Sequence, residues 1–458
     1  MPAPIRPPRA HSGSADINAP PPRQTTPSVQ TGRKSTQRER LVAAMTETAT
    51  RRGYAGATIA QVIRAAGVSR PTFYEYFSDK EACFLAAHAE AHRQLLTLVA
   101  RAVQEAPPQQ ALEVTIGALV EFTASQPHAA RLLMNETLAG GPDILDARDH
   151  ALGELAKIIE QANTRLSPES LVADLPPTVL LGTVYRLLGR RLRHGEHELG
   201  DAARDLQEWV ARYRLPISEH RWGALKPLPE PPPWTILPET QLREPAALPP
   251  PRWRDPKEVA DDQRRRILFA TAAVGQSKGY AAATIGEIVK SAGVNRRAFN
   301  SLFRDKQDAF MAVIAFGFQR TIAVAAGAFF TAATWQERIW EAGRAFTTFM
   351  QISPALAHVG FVETYAVGAD AAQQLEDSVN AFTVFLREGV RQTSRTSPAP
   401  TVLALEAVAT SVFETAYQQS RRESTHRMSS LLPHVAFLCL APVIGAAEAN
   451  RFIDGKLA

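Results

Sequence analysis

Arg70, Thr72 and Tyr74 alternate along one short stretch of the chain, with Pro71 between the first two and Tyr76 just beyond. These side chains can meet nucleic acid. An arginine forks onto the O6 and N7 atoms of guanine, a threonine packs on a thymine methyl, and a tyrosine hydroxyl suits a phosphate oxygen. Lys80, at the start of the next helical pattern, suits a phosphate as well, although it also reads as a solvated helix start. Upstream, Arg33, Lys34, Arg38 and Arg40 make a basic arm that can follow a nucleic-acid backbone.

Other chemistry finds less support. Cys83 and Cys439 are the only cysteines, too far apart in sequence for metal-ligand spacing, and each reads as a small core residue. His194-Gly195-Glu196-His197 lacks a third ligand nearby and reads as a solvated helix end, so no metal is expected. Arg190-Arg191 and Arg421-Arg422 read as solvating a helix face. Phe329, Phe330, Trp335, Trp340, Phe346 and Phe349 can line a ligand cavity, with core packing the commoner role. The chain has no nucleophile elbow, phosphate loop or paired catalytic carboxylates, so neither an enzyme nor a cofactor is expected.

The elements that must hold the first group are legible. Thr58 and Gln61 form a capping box that opens a short helix with Ile59, Val62, Ile63 and Ala66 on its buried face. Gly67 permits the left-handed turn that ends it, and Val68 plugs the turn. Ser69 caps the next helix, and Pro71 is tolerated in its first turn. That helix buries Phe73 and Phe77 and turns Arg70, Thr72, Tyr74, Glu75 and Tyr76 outward. Helix, glycine turn and a short helix with a polar face make a helix-turn-helix, whose second helix can enter a major groove.

The same object occurs twice. Gly53-Tyr54-Ala55 aligns with Gly279-Tyr280-Ala281 at an offset of 279 − 53 = 226, and 14 of the 28 positions from Gly53 to Lys80 are identical. Thr284 with Glu287 is the second capping box, Asn295 the second recognition-helix cap, and Phe299 and Phe303 the second aromatic pair. A long repeat around a spacer indicates two copies of one domain. Apolar spacings of three and four, without β-branched alternation, make both copies helical throughout.

The 458 residues exceed one ordinary domain, and an apolar share of 45% supports sizeable cores. The formal charge of +5 says little about nucleic acid. No uncharged apolar run of about 18 residues occurs and no signal-peptide core precedes the folded pattern, so a cytoplasmic protein without a membrane span is expected. The boundaries read as a tail (1–32), a first helix-turn-helix domain (33–86), a first helical regulatory domain (87–222), a proline-rich linker (223–256), a second helix-turn-helix domain (257–312) and a second helical regulatory domain (313–451). Further helix breaks are expected at Ser353-Pro354 and Ser397-Pro398.

The run from Arg38 to Ala86 resembles the DNA-binding domain of TetR-type regulators. The resemblance rests on Gly53-Tyr54, Thr58-Ile59, Ala66-Gly67-Val68-Ser69, Thr72-Phe73-Tyr74, Tyr76-Phe77 and Asp79-Lys80-Glu81. The run from Arg264 to Ala312 resembles it less closely. Asn300 stands where the family has a phosphate-binding tyrosine, Ser301-Leu302 replaces Glu75-Tyr76, and Arg296 and Arg297 add charge. The resemblance implies an all-α fold of two tandem units, each a helix-turn-helix domain plus a helical ligand-binding and dimerisation domain. It implies DNA contacts from Thr58, Ser69, Arg70, Pro71, Thr72, Tyr74, Tyr76 and Lys80, and from Thr284, Asn295, Arg296, Arg297, Asn300 and Lys306. The implied partners are a double-stranded operator and a small-molecule inducer, and not a membrane. The family's four-helix dimer bundle would here form within one chain, as a pseudo-dimer, from Pro177–His194 and Asp201–Tyr213 against Val402–Arg421 and Met428–Ala449; a homodimer of chains is a further option. The expectation is a ligand-responsive repressor on an asymmetric operator. The alternative is a regulator in which the first copy alone reads DNA and the second is structural or binds protein.

Overall fold

The structure, a computed structural model, describes residues 28–196, 199–225, 256–393, 399–422 and 425–458. Most of the expected tail, the prolines of the expected linker before Pro256, His197 and the break at Ser397-Pro398 lie outside the described residues, as do the side chains of Arg33 and Lys34. The first half runs α1 (Ser28–Gly56), α2 (Ile59–Ala66), α3 (Arg70–Tyr76), α4 (Lys80–Glu105), α5 (Ala111–Ser125), α6 (Pro127–Met134), α7 (Pro142–Asn163), α8 (Pro177–Arg193) and α9 (Ala202–Ala211). The second runs α10 (Pro256–Ala282), α11 (Ile285–Ala292), α12 (Arg296–Leu302), α13 (Lys306–Phe329), α14 (Trp335–Ile352) and α15 (Pro354–His358). It continues through a π-helical turn (Val359–Glu363) into α16 (Thr364–Val367), α17 (Ala369–Ala381), α18 (Thr383–Thr393), α19 (Val402–Arg422), α20 (Leu432–Ile444) and α21 (Ala446–Leu457).

The all-α expectation holds, and proline sets several boundaries: α14 stops before Pro354, which opens α15. One departure is a two-stranded antiparallel ladder, β1 (Leu171–Ala173) with β2 (Arg214–Pro216), in register Val172↔Leu215. Asp174 locks it by accepting the backbone N–H groups of Arg221 and Trp222 at 2.8 and 2.9 Å. Its strands are too short for an alternating pattern to register in the sequence.

The two halves share a core. One cluster of buried apolar side chains runs from Leu41 and Phe84 of the first half to Trp340, Phe437 and Ile453 of the second. A second cluster centres on the second helix-turn-helix and takes in Leu138 and Leu145 of the first half. Helices α8 and α19 pack along one another, and α9 packs on α19. The Tyr213 hydroxyl donates to the Leu438 carbonyl at 2.9 Å, and the Trp222 indole N–H to Asn450 at 2.8 Å.

Two segments have the length and composition of a membrane-crossing helix, His426–Ile444 and Lys306–Phe329, contrary to the sequence reading, which required an uncharged run. The first is 83% buried inside the protein, so its apolar surface is already used. The second is 33% buried, and part of it walls an internal cavity described below.

In the first half, α4 carries His88, 5% exposed, with its ring stacked on that of His92. Burial, with His92 adding to it, pushes the His88 imidazole from 6.5 down to about 4. An unfolded histidine takes its proton near 6.5, so between these values the unfolded chain binds more protons. Stability is therefore complete above about pH 6.5 and falls as pH drops towards 4, by at most about 3 kcal/mol from this residue. Chemical denaturation across that window is expected to show the slope. His88→Ile, which installs the residue at the aligned position 314, is expected to remove this share.

Candidate nucleic-acid interface

Each helix-turn-helix is built as its caps dictate. Thr58 Oγ1 accepts the Gln61 N–H while the Gln61 side chain accepts the Thr58 N–H at 2.9 Å; Thr284 and Glu287 repeat the arrangement. Gly67 and Gly293 end the first helices in the left-handed region, at φ 60 and 62. Ser69 Oγ accepts the Thr72 N–H at 3.2 Å, and Asn295 Oδ1 the Ala298 N–H at 2.9 Å, which start α3 and α12. Phe73 and Phe77 anchor α3 with ring centroids 5.8 Å apart, and Phe299 and Phe303 anchor α12 at 5.6 Å.

Anchored in this way, α3 exposes Arg70, Pro71, Tyr74 and Glu75, and α12 exposes Arg296, Arg297, Asn300 and Ser301. The Arg70 guanidinium rests 5.8 Å from the Tyr74 ring centroid and 3.5 Å from its hydroxyl, a weak hold that leaves it free to turn. Ser69 and Thr72 hydroxyls lie 2.8 Å apart at the start of α3. Thr58, Thr284 and Asn295 are exposed caps.

Other expected contacts are placed differently. The Tyr76 hydroxyl is covered, its ring packs against the core, and it has no hydrogen-bond partner among the described residues. Lys80 Nζ donates to the Tyr54 carbonyl at 3.0 Å and sits 4.1 Å from the Tyr54 ring centroid; Lys306 does the same to Tyr280, at 2.7 and 4.4 Å. Both lysines are half-buried ties between helices rather than solvated helix starts. Nor do Arg38 and Arg40 form a loose arm. Arg38 stacks on Phe77, and Arg40 donates to the Ala66 and Gly67 carbonyls, with Nε 2.9 Å from Ala66 O, so it closes the C-terminal end of α2. A substituent at Gly67 would meet Arg40 Nη2 at 2.9 Å and impose the left-handed backbone on an ordinary residue. Gly67→Ala is therefore expected to cost about 1–2 kcal/mol in denaturant unfolding, and to weaken duplex binding with it.

Two carboxylates escaped the sequence reading. Glu136 accepts the Tyr54 N–H at 2.8 Å, and Glu363 the Tyr280 N–H at 2.7 Å, each beside the kink at Gly53 or Gly279. Each ties a helix-turn-helix domain to its own helical body. A signal existed: both follow a helix-opening proline by nine residues, 136 − 127 and 363 − 354. One arginine of each pair expected only to solvate instead bridges the halves. Arg190 meets Glu406 at 3.3 Å, and Arg421 meets Asp149 at 3.2 Å as well as Asp146. Among the described residues no group of three metal-ligating side chains gathers.

Two anchored short helices with polar outer faces define a helix-turn-helix protein. Both units match the family described as bacterial regulatory proteins, tetR family, at residues 41–87 and 267–313, so the chain carries two TetR-type helix-turn-helix domains in tandem. The HTH-type transcriptional regulator RutR of Escherichia coli (strain K12) is 26% identical over 133 residues, 29% of this chain and 61% of the relative. RutR of Escherichia coli O157:H7 matches to the same extent, so the chain spans less than two thirds of these curated relatives. Among solved structures, the fatty acid degradation regulator FadR from Bacillus halodurans has 18% identity and a TM-score of 0.36, covering 41% of this chain and 97% of its own. A TetR family transcription regulator from Marinobacter aquaeolei VT8 has 17% identity and a TM-score of 0.34, covering 41% and 99%.

Proposed function

We propose that this chain represses transcription by binding one duplex operator as a single-chain pseudo-dimer, with α3 and α12 reading unlike half-sites and a small molecule modulating the affinity. The observation that carries the reading is Glu414. This α19 carboxylate is fully buried between two first-half guanidiniums, with Arg186 Nε at 2.6 Å and Arg148 Nη2 at 3.2 Å. Gln418 donates to the same carboxylate at 3.2 Å and accepts from Thr178 of the first half at 3.1 Å.

Charge complementarity of this kind selects the partner. Two first halves meeting through α8 would bring Arg148 and Arg186 against their own kind, and two second halves would oppose Glu414 with Glu414. Like charges forced together cost several kcal/mol, so each half favours the other. The exposed faces also differ, with Arg70-Pro71-Thr72 on α3 and Arg296-Arg297-Ala298 on α12. Unlike faces on one body read an asymmetric site, its halves about one duplex turn, roughly 34 Å, or a near multiple apart. Selection of bound sequences from random duplex DNA is expected to return a bipartite site with two different halves. A perfect palindrome would replace the pseudo-dimer by a conventional dimer of chains.

A further inference from the structure

The second half holds a partly open apolar cavity of about 110 Å³ between α13, α14, the π-helical turn, α17, α18, α19 and α20. Of the expected aromatic cluster, Phe346 and Phe349 line it, while Trp335 and Trp340 are core and Phe330 is 71% exposed. Smaller residues stand at several wall positions where the first half has larger ones. Gly317 and Ala325 align with Ala91 and Val99 at the offset of 226. Past the loop before α14 the offset becomes 354 − 127 = 227, which aligns Gly343 with Ile116 and Gly360 with Leu133. Val99, Ile116 and Leu133 are at most 1% exposed and fill the first interior. A methyl group added at Gly317 or Gly360 would meet nothing within 4 Å.

No Asp, Glu, Lys, Arg or His lines the space among the described residues. Its few polar groups are committed or neutral. Thr321 Oγ1 donates to the Gly317 carbonyl at 2.7 Å, and burial pushes the Cys439 thiol up to about 12. An ionised ligand would lose its hydration there with no counter-charge, whereas a hydrocarbon body would gain contacts on all sides.

The cavity wall also reaches the DNA-binding domain. Gly360 and Phe361 belong to the wide turn Val359–Glu363, whose last residue holds the Tyr280 N–H. Thr364 Oγ1 donates to the Val359 and Gly360 carbonyls at 3.1 and 2.9 Å, which satisfies the loosened helix. In the first half the aligned stretch up to Met134 is the ordinary helix α6.

We propose that the second half alone holds a small molecule, one per chain, and that this molecule is uncharged and predominantly apolar. The inference rests on the ligand-modulated reading above and names its ligand class and its seat. Titration of the full chain with the neutral dye N-phenyl-1-naphthylamine is expected to saturate at one dye per chain. Gly360→Leu and Gly317→Leu, each filling open space, are expected to lower its affinity at least about tenfold, with circular dichroism confirming the fold; if one variant fails to fold, the other decides. Decan-1-ol is expected to displace the dye at least about tenfold better than decanoate near neutral pH. Two dyes per chain, no saturable binding, unchanged affinity in the folded variants, or equal competition by decanoate would each overturn the proposal. Operator affinity in the same samples reports separately: a chain that binds one dye but no duplex sinks the regulator reading and leaves the ligand assignment standing.

Discussion

Glu414→Ala is expected to lower the unfolding free energy by about 3–5 kcal/mol, because it strands two buried guanidiniums across the seam between the halves. Arg148 is 1% exposed, and three guanidinium nitrogens there, Arg148 Nε and Arg186 Nη1 and Nη2, already lack partners among the described residues. The rings beneath them, Tyr417 at 4.9 and 4.8 Å and Phe413 at 4.8 Å from the guanidinium carbons, hold cations by only about 0.5–2 kcal/mol. They cannot replace the carboxylate. Denaturant unfolding measures the loss, and a loss below about 1 kcal/mol would remove this residue from the argument for pairing.

The same site predicts an acid response. Burial alone would raise the Glu414 carboxyl, but Arg148, Arg186 and Gln418 together outweigh it and hold it below the usual 4.5. The unfolded chain therefore takes up this proton first on acidification. The contribution is complete above about pH 4.5 and disappears as pH falls through the lowered folded value. Glu414→Gln, neutral at every pH, is expected to be less stable than the parent near neutrality and to show a flatter acid limb.

Arg70→Ala is expected to erase base preference in one half-site and leave the other intact, while Arg296→Ala with Arg297→Ala does the reverse. A forked arginine–guanine contact contributes about 1–3 kcal/mol, so the double change is worth about 2–6 kcal/mol of operator affinity. Gel shifts on the selected operator, and repeated selection with each variant, read both quantities. If the double change left affinity and both half-sites unaltered, α12 would be structural and the first copy would read DNA alone. A uniform loss on every sequence, with a shallower salt slope, would mean that Arg296 and Arg297 hold phosphates instead.

Much of each helix-turn-helix was legible in the sequence. Caps, glycine turns and aromatic anchors act over three or four residues, and those contacts are written in the spacing of Thr58, Gln61, Gly67, Ser69, Phe73 and Phe77. The tandem organisation was legible for a related reason: a repeated local pattern needs no knowledge of distant partners. The ties of Arg40 and Lys80 were not legible because their acceptors, the carbonyls of Ala66 and Tyr54, each lie 26 residues away and depend on how the helices cross.

The amino-acid order by itself determined that two helical units exist, where each recognition helix starts and stops, and which of its faces is polar. Tertiary structure decided what those units do to each other. Arg148 finds Glu414 266 residues away, and Glu136 finds Tyr54 82 residues away, through contacts that no periodicity encodes. It also decided that the second half closes around an apolar cavity, since a cavity is a property of several walls closing at once. Backbone hydrogen bonding along a helix is local, whereas the burial of charge and the filling of volume depend on everything packed around them.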